Sequence, residues 1–282
     1  MSNLKELSHR IKNIKSIQKT TKVMQLISAA KLKRSQQQLF NSRLHLSQIS
    51  KTLLTLHLDL TGDEYKVTQK NSYLLIIISS DRGLCGNFNS SIVKLAKARI
   101  NELYKNEEEI DIVVFGKKAY DVIKNQIKNI KKVFSCSKIT FFHLEEIVSQ
   151  IPGFYSYDKI EVLYNKFHNT FTQEPLSQII LPLSNNSLFI GSNTNDSSCY
   201  EYEGNKGFLL NFLTKNYIIS SLYTALLESI TSEHSARMIA MESANRNTKE
   251  MLNRLVLTYN RFRQAAITTD LIEVIGGVEA LN

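Results

Sequence analysis

The segment whose residues are best suited to binding or catalysis is a glycine-bearing turn that follows an apolar run. Residues 73–78 read Tyr-Leu-Leu-Ile-Ile-Ile, and residues 79–89 read Ser-Ser-Asp-Arg-Gly-Leu-Cys-Gly-Asn-Phe-Asn before a helical pattern begins. A glycine turn between a strand and a helix is where backbone N–H groups commonly bind phosphate. However, Gly83 and Gly86 are three residues apart and no lysine follows, so neither common phosphate-binding pattern is matched. The spacing favours a tight structural turn over a nucleotide site.

Other residue types capable of chemistry also lack the spacing of a site. The six histidines show no metal-ligand spacing and lie at positions 9, 45, 57, 143, 168 and 234. Adjacent carboxylates, such as Glu145 and Glu146, are typical of solvated helix faces. Cys85 can be interpreted as a nucleophile in an electropositive turn, but a small buried apolar side chain is the interpretation we favour. We therefore predict no catalytic, cofactor-binding or metal-binding residue in this chain.

Charge and cysteine content indicate the cellular setting. The net charge of +9 predicts an acidic partner, which is a nucleic acid, an anionic membrane surface or an acidic protein face. Cys85, Cys136 and Cys199 are far apart and form no C-x-x-C pair, which is typical of a reducing compartment. Because the first residues resemble neither a signal peptide nor a transit peptide, we expect a soluble protein that stays in the cytoplasm.

Both ends of the sequence predict very long helices. All 3 prolines lie between residues 152 and 182, so no proline interrupts either end. The predicted helix over residues 1–60 has an apolar stripe at Leu4, Leu7, Ile11, Ile14, Ile17, Met24 and Ile27. The predicted helix over residues 208–282 has a heptad seam at Met241, Ala244, Thr248, Met251, Leu255, Tyr259, Phe262, Ala266 and Thr269. We expect the two to pair as an antiparallel coiled coil; the alternative is two helices packed flat on a globular domain.

The middle of the sequence, residues 70–200, predicts a Rossmann-like α/β domain. Strand candidates at 73–78, 111–115, 159–164 and 179–183 alternate with helical patterns at 91–108, 117–129 and 144–150. Such alternation is typical of a largely parallel sheet. The polar segment 185–205 is predicted to be a loop with a weak strand.

Three regions of the chain, in the right order, resemble the ATP synthase gamma family, and the C-terminal region does so in two blocks. Residues 11–32, with Lys-Thr-Thr-Lys-Val-Met at 19–24 and Ala-Ala-Lys at 29–31, resemble the opening helix of the family. The turn at 81–89 resembles its D-R-G-L-C-G-G-x-N signature, with Asn87 in place of the second glycine of the pair. Residues 232–241 and 259–275 resemble its two C-terminal blocks. The α/β centre matches the family in architecture alone.

The resemblance implies a rotor shaft and its partners. The paired helices would lie inside a ring of three α and three β subunits, and the α/β domain would lie with the epsilon subunit on the membrane ring of c subunits. Rotation of the c-ring would then drive the catalytic sites of the β subunits. The implied location is peripheral, on the cytoplasmic face of a bacterial inner membrane, since no second cysteine lies near Cys199 to form a redox-regulated loop.

The resemblance also implies partner-contact residues. Met24 matches the position that faces an acidic loop of β, and Arg82 and Lys94 resemble basic residues near that loop. The residues that resemble upper contacts with the β subunits are Arg263, Gln264, Thr268 and Glu273. Each of these is otherwise a plain surface position. Two other functions stay open on sequence alone: a coiled-coil adaptor whose α/β domain binds a small ligand, and a basic nucleic-acid-binding protein.

Overall fold

The computed structural model describes residues 2–58, 72–105, 109–125, 127, 129–137, 139–183 and 205–279. Its elements, in chain order, are α1 (Ser2–Leu58), β1 (Ser72–Ile78), α2 (Phe88–Lys105), β2 (Glu109–Phe115), α3 (Lys117–Ile123), β3 (Ile130–Phe134), α4 (Phe141–Ser149), β4 (Lys159–Phe167), β5 (Gln173–Leu181) and α5 (Lys206–Glu279). The chain divides into two compact units. We call residues 30–236 the sheet unit, and residues 1–29 with 237–282 the paired-helix unit.

The sheet unit contains a five-stranded sheet in the order β3-β2-β1-β4-β5. Its first four members run parallel and β5 runs antiparallel to β4. The chain therefore builds one half of the sheet on one side of β1 and then crosses to its other side. The predicted α/β fold with a largely parallel, Rossmann-like sheet is confirmed.

Helices cover both faces of the sheet, which explains the unbroken apolar sequence of β1. Leu74, Ile76 and Ile78 pack in one core with residues of α1, α4 and α5. Leu75 and Ile77, which point to the other face, pack with residues of α2 and α3. A strand buried on both faces has no need of polar residues at alternate positions.

Helices α1 and α5 pair within both units. In the sheet unit the Ser42 and Thr224 hydroxyls lie 2.8 Å apart, and Arg43 bonds Glu228 at 2.8 Å through its Nε. The earlier residues of α1 form the paired-helix unit with the later residues of α5, so the pair is antiparallel. The predicted coiled coil is confirmed.

The seam of the paired-helix unit differs from the predicted one. In α1 a series of buried and half-buried positions alternates by three and four residues and consists of Leu4, Leu7, Ile11, Ile14, Gln18, Thr21, Gln25 and Ser28, with Met24 and Ala29 half-buried beside it. The predictions for Ile17 and Ile27 were wrong, since both are exposed. On α5, Met251 is exposed and Leu252 occupies the seam. In a heptad, the angle of a residue around the helix axis decides whether its side chain faces the partner helix. Several polar side chains therefore lie in this seam, and several apolar side chains face away from the partner helix.

The last turns of α5 are exposed on every side. Residues 267–277 are all exposed, and so are Phe262 and Thr269, which the sequence pattern placed in the seam. None of the helices in the described ranges is both long and apolar enough to cross a membrane.

Smaller elements were predicted less well than the helices at the ends. The sequence analysis did not predict strand β3. It predicted a strand at 179–183, whereas β5 begins earlier, at Gln173, and ends at Leu181. Helix α3 ends at Ile123 although a pattern extended to residue 129. Strands β3 and β5 lie at the two edges of the sheet, where most of their side chains are half-buried or exposed, so no continuous apolar run marks them. Of the predicted loop at 185–205, all but Asn205 lies outside the described residues.

Candidate subunit interface

The turn after β1 is closed by its own side chains. Ser80 Oγ donates to the Arg82 carbonyl at 2.6 Å, and Asn89 Oδ1 accepts from the Ser80 amide at 3.1 Å. The Phe88 amide donates to the Cys85 carbonyl at 3.2 Å, which starts α2. The polar groups of the turn thus hold its conformation, as expected for a structural turn.

Leu84 has an unusual backbone within this turn. Its φ of 64° makes it the one non-glycine residue with positive φ in the described part of the chain. Such a conformation costs a branched residue of this kind about 1 kcal/mol or more. Asn87, by contrast, does not have positive φ, which explains why the chain tolerates a side chain where the family has glycine.

Two cysteines lie beneath the turn and are buried. Cys85 packs with Phe88 and Ala236, and Cys136 Sγ donates to the Ser79 carbonyl at 3.1 Å. Burial, with the nearby charges of Asp81 and Glu233, raises the pKa of the Cys136 thiol well above its usual range. The prediction that these cysteines are small buried side chains is confirmed for both. Cys199 lies outside the described residues.

Gly116 joins the ends of β1 and β2 closely. Its φ is +94°, and a Cβ at this position would lie 2.5 Å from the Ser79 carbonyl oxygen. The Ser79 amide donates to the Phe115 carbonyl at 2.8 Å across the same junction. Only glycine, which has no Cβ, allows the backbone at residue 116 to lie so close to the Ser79 carbonyl. Because α3 begins directly after Gly116, this contact holds the start of α3 close to the turn at residues 81–86.

The predicted partner contacts of the sheet unit are exposed. Arg82 lies in the turn and Lys94 lies one turn and a half into α2. Lys117 and Lys118, which begin α3, are exposed at the same edge of the sheet as Arg82. The sequence analysis did not identify these two lysines as candidate contacts. Their position directly after the apolar run of β2 and Gly116 is the signal that could have placed them at this edge of the sheet.

The predicted contacts of the paired-helix unit lie on both of its helices. Met24 is half-buried on α1, and its neighbours Val23 and Ile27 are exposed. Arg263, Gln264, Thr268 and Glu273 are all exposed near the end of α5. Gln264 and Thr268 share one face of that helix, and the Thr268 hydroxyl donates to the Gln264 carbonyl at 2.9 Å.

Sequence reasoning missed the exposed apolar residues of this unit. On α1 they are Ile17, Val23, Leu26 and Ile27, and on α5 they are Met251, Val256, Leu257, Phe262, Ile267, Leu271, Ile272, Val274 and Ile275. The signal in the sequence that could have revealed this surface is the presence of apolar residues at positions outside the heptad seam. An exposed apolar surface of this extent is typical of a protein–protein contact. Among the described residues no group of His, Cys, Asp and Glu side chains could hold a metal ion.

Comparison with known proteins assigns the family. The ATP synthase family model matches residues 3–281. Over the whole of both chains, the sequence is 53% identical to the ATP synthase gamma chain of Wolbachia pipientis subsp. Culex pipiens and 46% identical to that of Ehrlichia canis. The chain belongs to the ATP synthase gamma chain family. The gamma chain of Rickettsia prowazekii, at 38% identity, is also matched along its full length.

Solved ATP synthase structures share the gamma-chain fold seen here. A chain in the structure of the Tetrahymena thermophila mitochondrial ATP synthase central stalk and c-ring aligns with a TM-score of 0.59 and 26% identity, over 80% of this chain and 99% of that one. A chain from the Euglena gracilis mitochondrial enzyme aligns with a TM-score of 0.68 over 99% of this chain and 95% of that one. At 19% identity the second match supports the fold alone. This gamma chain is therefore a subunit of an ATP synthase complex.

Proposed function

We propose that this gamma chain is the rotating central stalk of a proton-translocating ATP synthase. In this proposal the paired helices, residues 1–60 and 208–282, lie inside a ring of three α and three β subunits, and the α/β domain, residues 70–200, forms the base. Rotation of the c-ring turns the stalk, and the stalk drives the β catalytic sites through their binding states. ATP chemistry then belongs to the β subunits.

The observation that carries the proposal is the outward-facing apolar surface of the paired-helix unit. A two-helix rod that worked alone would place its apolar residues in the seam. Here Gln18 and Thr21 occupy the seam while Val23, Leu26 and Ile27 face outward. Such an arrangement supports a rod that is covered by other subunits along its length.

The charge of the outer surface supports sliding contacts. Exposed lysines on α1 lie between the exposed apolar residues and are Lys12, Lys15, Lys19, Lys22 and Lys31. An exposed ion pair contributes only about 0–1 kcal/mol, so a rotating surface can exchange one acidic partner for the next at low cost. We infer that acidic segments of the β subunits face these lysines.

The partner set follows from the same assignment. We infer contacts with the α and β subunits, the epsilon subunit and the c-ring, and membrane association through the complex alone. The setting in this proposal is the cytoplasmic face of a bacterial inner membrane, because the matched relatives named above are bacterial gamma chains. The residues that we propose as ring contacts are Met24, Arg82, Lys94, Arg263, Gln264, Thr268 and Glu273.

The deciding experiment is reconstitution with the organism's own α and β subunits. We expect the chain alone to hydrolyse no ATP, and its addition to α and β to give a stable complex with sustained, faster hydrolysis. Absence of a complex would overturn the proposal. In that case steeply salt-dependent binding of this basic chain to nucleic acid becomes the rival explanation.

A further inference from the structure

We propose that a cavity between helices of the sheet unit binds a small, uncharged, planar aromatic molecule that carries a hydroxyl or N–H group. The cavity has a volume of about 350 Å³. Its lining residues belong to α1, α4 and α5 and are Gln38, Asn41, Ser42, His45, Phe141, Ser220 and Tyr223. We call it the three-helix cavity. The inference goes beyond the proposed function, because it assigns a ligand to the sheet unit itself.

The observation that points to a ligand is an unpaired hydroxyl group in the lining of the cavity. Ser220 is 2% exposed, and its Oγ has no hydrogen-bond partner within the described part of the chain. A serine or threonine buried in a helix commonly donates to the carbonyl one turn earlier, as Thr224 and Thr231 of α5 do at 2.7 Å. A buried hydroxyl without a partner is unfavourable, so a molecule that bonds Ser220 Oγ gains affinity from it.

Ser42 supplies a hydrogen-bond acceptor in the same cavity. Its Oγ lies 2.8 Å from Thr224 Oγ1, and Thr224 Oγ1 donates its single proton to the Ser220 carbonyl. Ser42 is therefore the donor in its pair with Thr224, and the lone pairs of Ser42 Oγ stay available. The cavity thus offers a hydroxyl donor at Ser220 and an acceptor at Ser42 to a ligand with a hydroxyl or N–H group.

Aromatic rings from three helices form the apolar part of the lining. The Phe141 ring packs edge-to-face against the Tyr223 ring, with 5.6 Å between centroids, and against the His45 ring, with 6.4 Å. A further aromatic ring is attracted to such a group in stacked and in edge-to-face arrangements. A cavity of about 150 Å³ holds one benzene ring. The larger volume here therefore fits a fused system of two rings.

The depth of the lining residues is that of a small-molecule site. Gln38 and Asn41 are exposed, so the cavity opens to solvent between amide side chains. Phe141 and Tyr223 are half-buried, and Ser220 is the buried member of the lining. An apolar wall with a few polar groups at fixed positions is typical of sites that bind small molecules.

Charge excludes ionised ligands. None of the seven described residues that line the cavity is Asp, Glu, Lys or Arg. Arg43, which follows Ser42, is engaged elsewhere, since it bonds Glu228 at 2.8 Å through Nε and the Phe167 carbonyl at 3.1 Å. An ionised molecule would leave water without meeting an opposite charge, which is costly. The lining therefore favours a neutral aromatic molecule over a nucleotide, a phosphate or a carboxylate.

The test uses the full chain and beta-naphthol, an uncharged molecule of two fused rings with one hydroxyl group. Because the chain contains no tryptophan, the fluorescence of the probe can be excited apart from that of the protein, and its anisotropy measures binding. We expect saturable binding with a dissociation constant below about 1 mM. Bound probe should also raise the urea midpoint of the chain, because it binds the folded state. Beta-naphthoate, which has the same rings and a negative charge, should bind at least about tenfold more weakly.

Two variants with matched controls locate the site. We expect Ser220→Ala to raise the dissociation constant at least about threefold, because it removes the hydroxyl that bonds the probe. The control is Ser221→Ala, since Ser221 Oγ is also buried and unpartnered among the described residues but does not line the cavity. Phe141→Leu should weaken binding by a similar factor through loss of a ring. Its control is Phe212→Leu, at an exposed aromatic position of α5 outside the cavity.

Three results would overturn the inference. The first is absence of saturable binding of beta-naphthol to the native chain. The second is an unchanged dissociation constant in Ser220→Ala and Phe141→Leu, because the probe would then bind elsewhere. The third is binding of beta-naphthoate as tight as that of beta-naphthol, because the site would then accept anions. Ser220→Ala removes a hydroxyl with no partner in the described chain, so we expect its urea midpoint without probe to equal or exceed the native one, and its weaker binding to reflect the lost contact alone.

Discussion

The sheet unit and the paired-helix unit place their apolar residues in opposite ways. In the sheet unit the central strand is wholly buried between two layers of helices, and charged side chains inside are paired. In the paired-helix unit polar side chains line part of the seam, and branched apolar residues face outward. The first unit has a core that stabilises it in isolation. The second has an outer surface that only another subunit can bury, so its sequence is adapted to an assembly.

The comparison predicts that apolar truncation has opposite consequences in the two units. Ile76 in β1 is 0% exposed, whereas Ile27 in α1 is 51% exposed. We expect Ile76→Ala to lower the free energy of unfolding by about 3–4 kcal/mol, because it leaves a cavity in a closed core. Ile27→Ala should change it by less than about 0.5 kcal/mol. Urea denaturation of the isolated chain measures both, and similar losses would contradict the contrast between the units.

A second prediction concerns the buried charge of the sheet unit. Glu161 on β4 is fully buried, and Arg99 of α2 bonds its two carboxylate oxygens at 2.9 and 3.0 Å through Nε. Tyr73 and Ser177 donate to the same carboxylate. Arg99→Leu leaves that charge without its cation and should cost about 2–4 kcal/mol in urea denaturation. The control is Lys94→Leu, at an exposed position of the same helix, which we expect to be nearly neutral.

The double variant separates charge from packing. If Arg99→Leu is combined with Glu161→Gln, which removes the buried charge, we expect part of the lost stability to return. No recovery would mean that the guanidinium acts through its hydrocarbon stem alone.

A third prediction concerns alkaline pH and again distinguishes the units. Burial, with the nearby Glu228 charge, raises the pKa of Tyr164, and burial with the Glu161 hydrogen bond raises that of Tyr73. Both residues lie in the sheet unit. A raised pKa means that the folded state keeps its proton where the unfolded state loses it, so stability is full below about pH 10 and falls as pH rises above it. Each such tyrosine contributes a slope of about 1.4 kcal/mol per pH unit at most.

The measurement is urea denaturation at several pH values between neutrality and pH 11. Tyr164→Phe should reduce the alkaline loss of stability relative to the native chain, because it removes one of the groups that titrate. An unchanged slope in this variant would show that Tyr164 ionises as readily in the folded chain as in the unfolded one.

The sequence predicted the long helices and the buried strands well because each carries its own signal. Residues 73–78 form an unbroken apolar run, and the absence of proline at both ends permits helices of 57 and 74 residues. It predicted edge elements poorly, because β5 is held by pairing with β4 and not by an apolar pattern of its own. It also misplaced Ile17, Ile27 and Met251, since apolar character was taken to mean burial, whereas the heptad angle decides which side chains face the partner helix.

The site was predicted less completely than the fold. Family resemblance supplied Arg82, Met24 and the contacts near the end of α5, and the structure finds them exposed or half-buried. The positive φ of Leu84 belongs to a turn that is closed by the side chains of Ser80 and Asn89. No pattern of residue types in the sequence indicates this conformation, so the sequence analysis did not predict it.

The smallest expected effect concerns the polar seam. Gln18 is half-buried between Ile14 and Thr21 on the seam face of α1. A polar residue at a seam position lowers stability and selects the register in coiled coils. We therefore expect Gln18→Leu to stabilise the isolated chain by about 0.5–1 kcal/mol, through added apolar burial. Lys19→Leu, one position along and exposed, is the control and should have no such effect. A loss of stability in Gln18→Leu would mean that the polar seam is itself a stabilising feature, and that the paired-helix unit depends less on its surroundings than its exposed apolar face indicates.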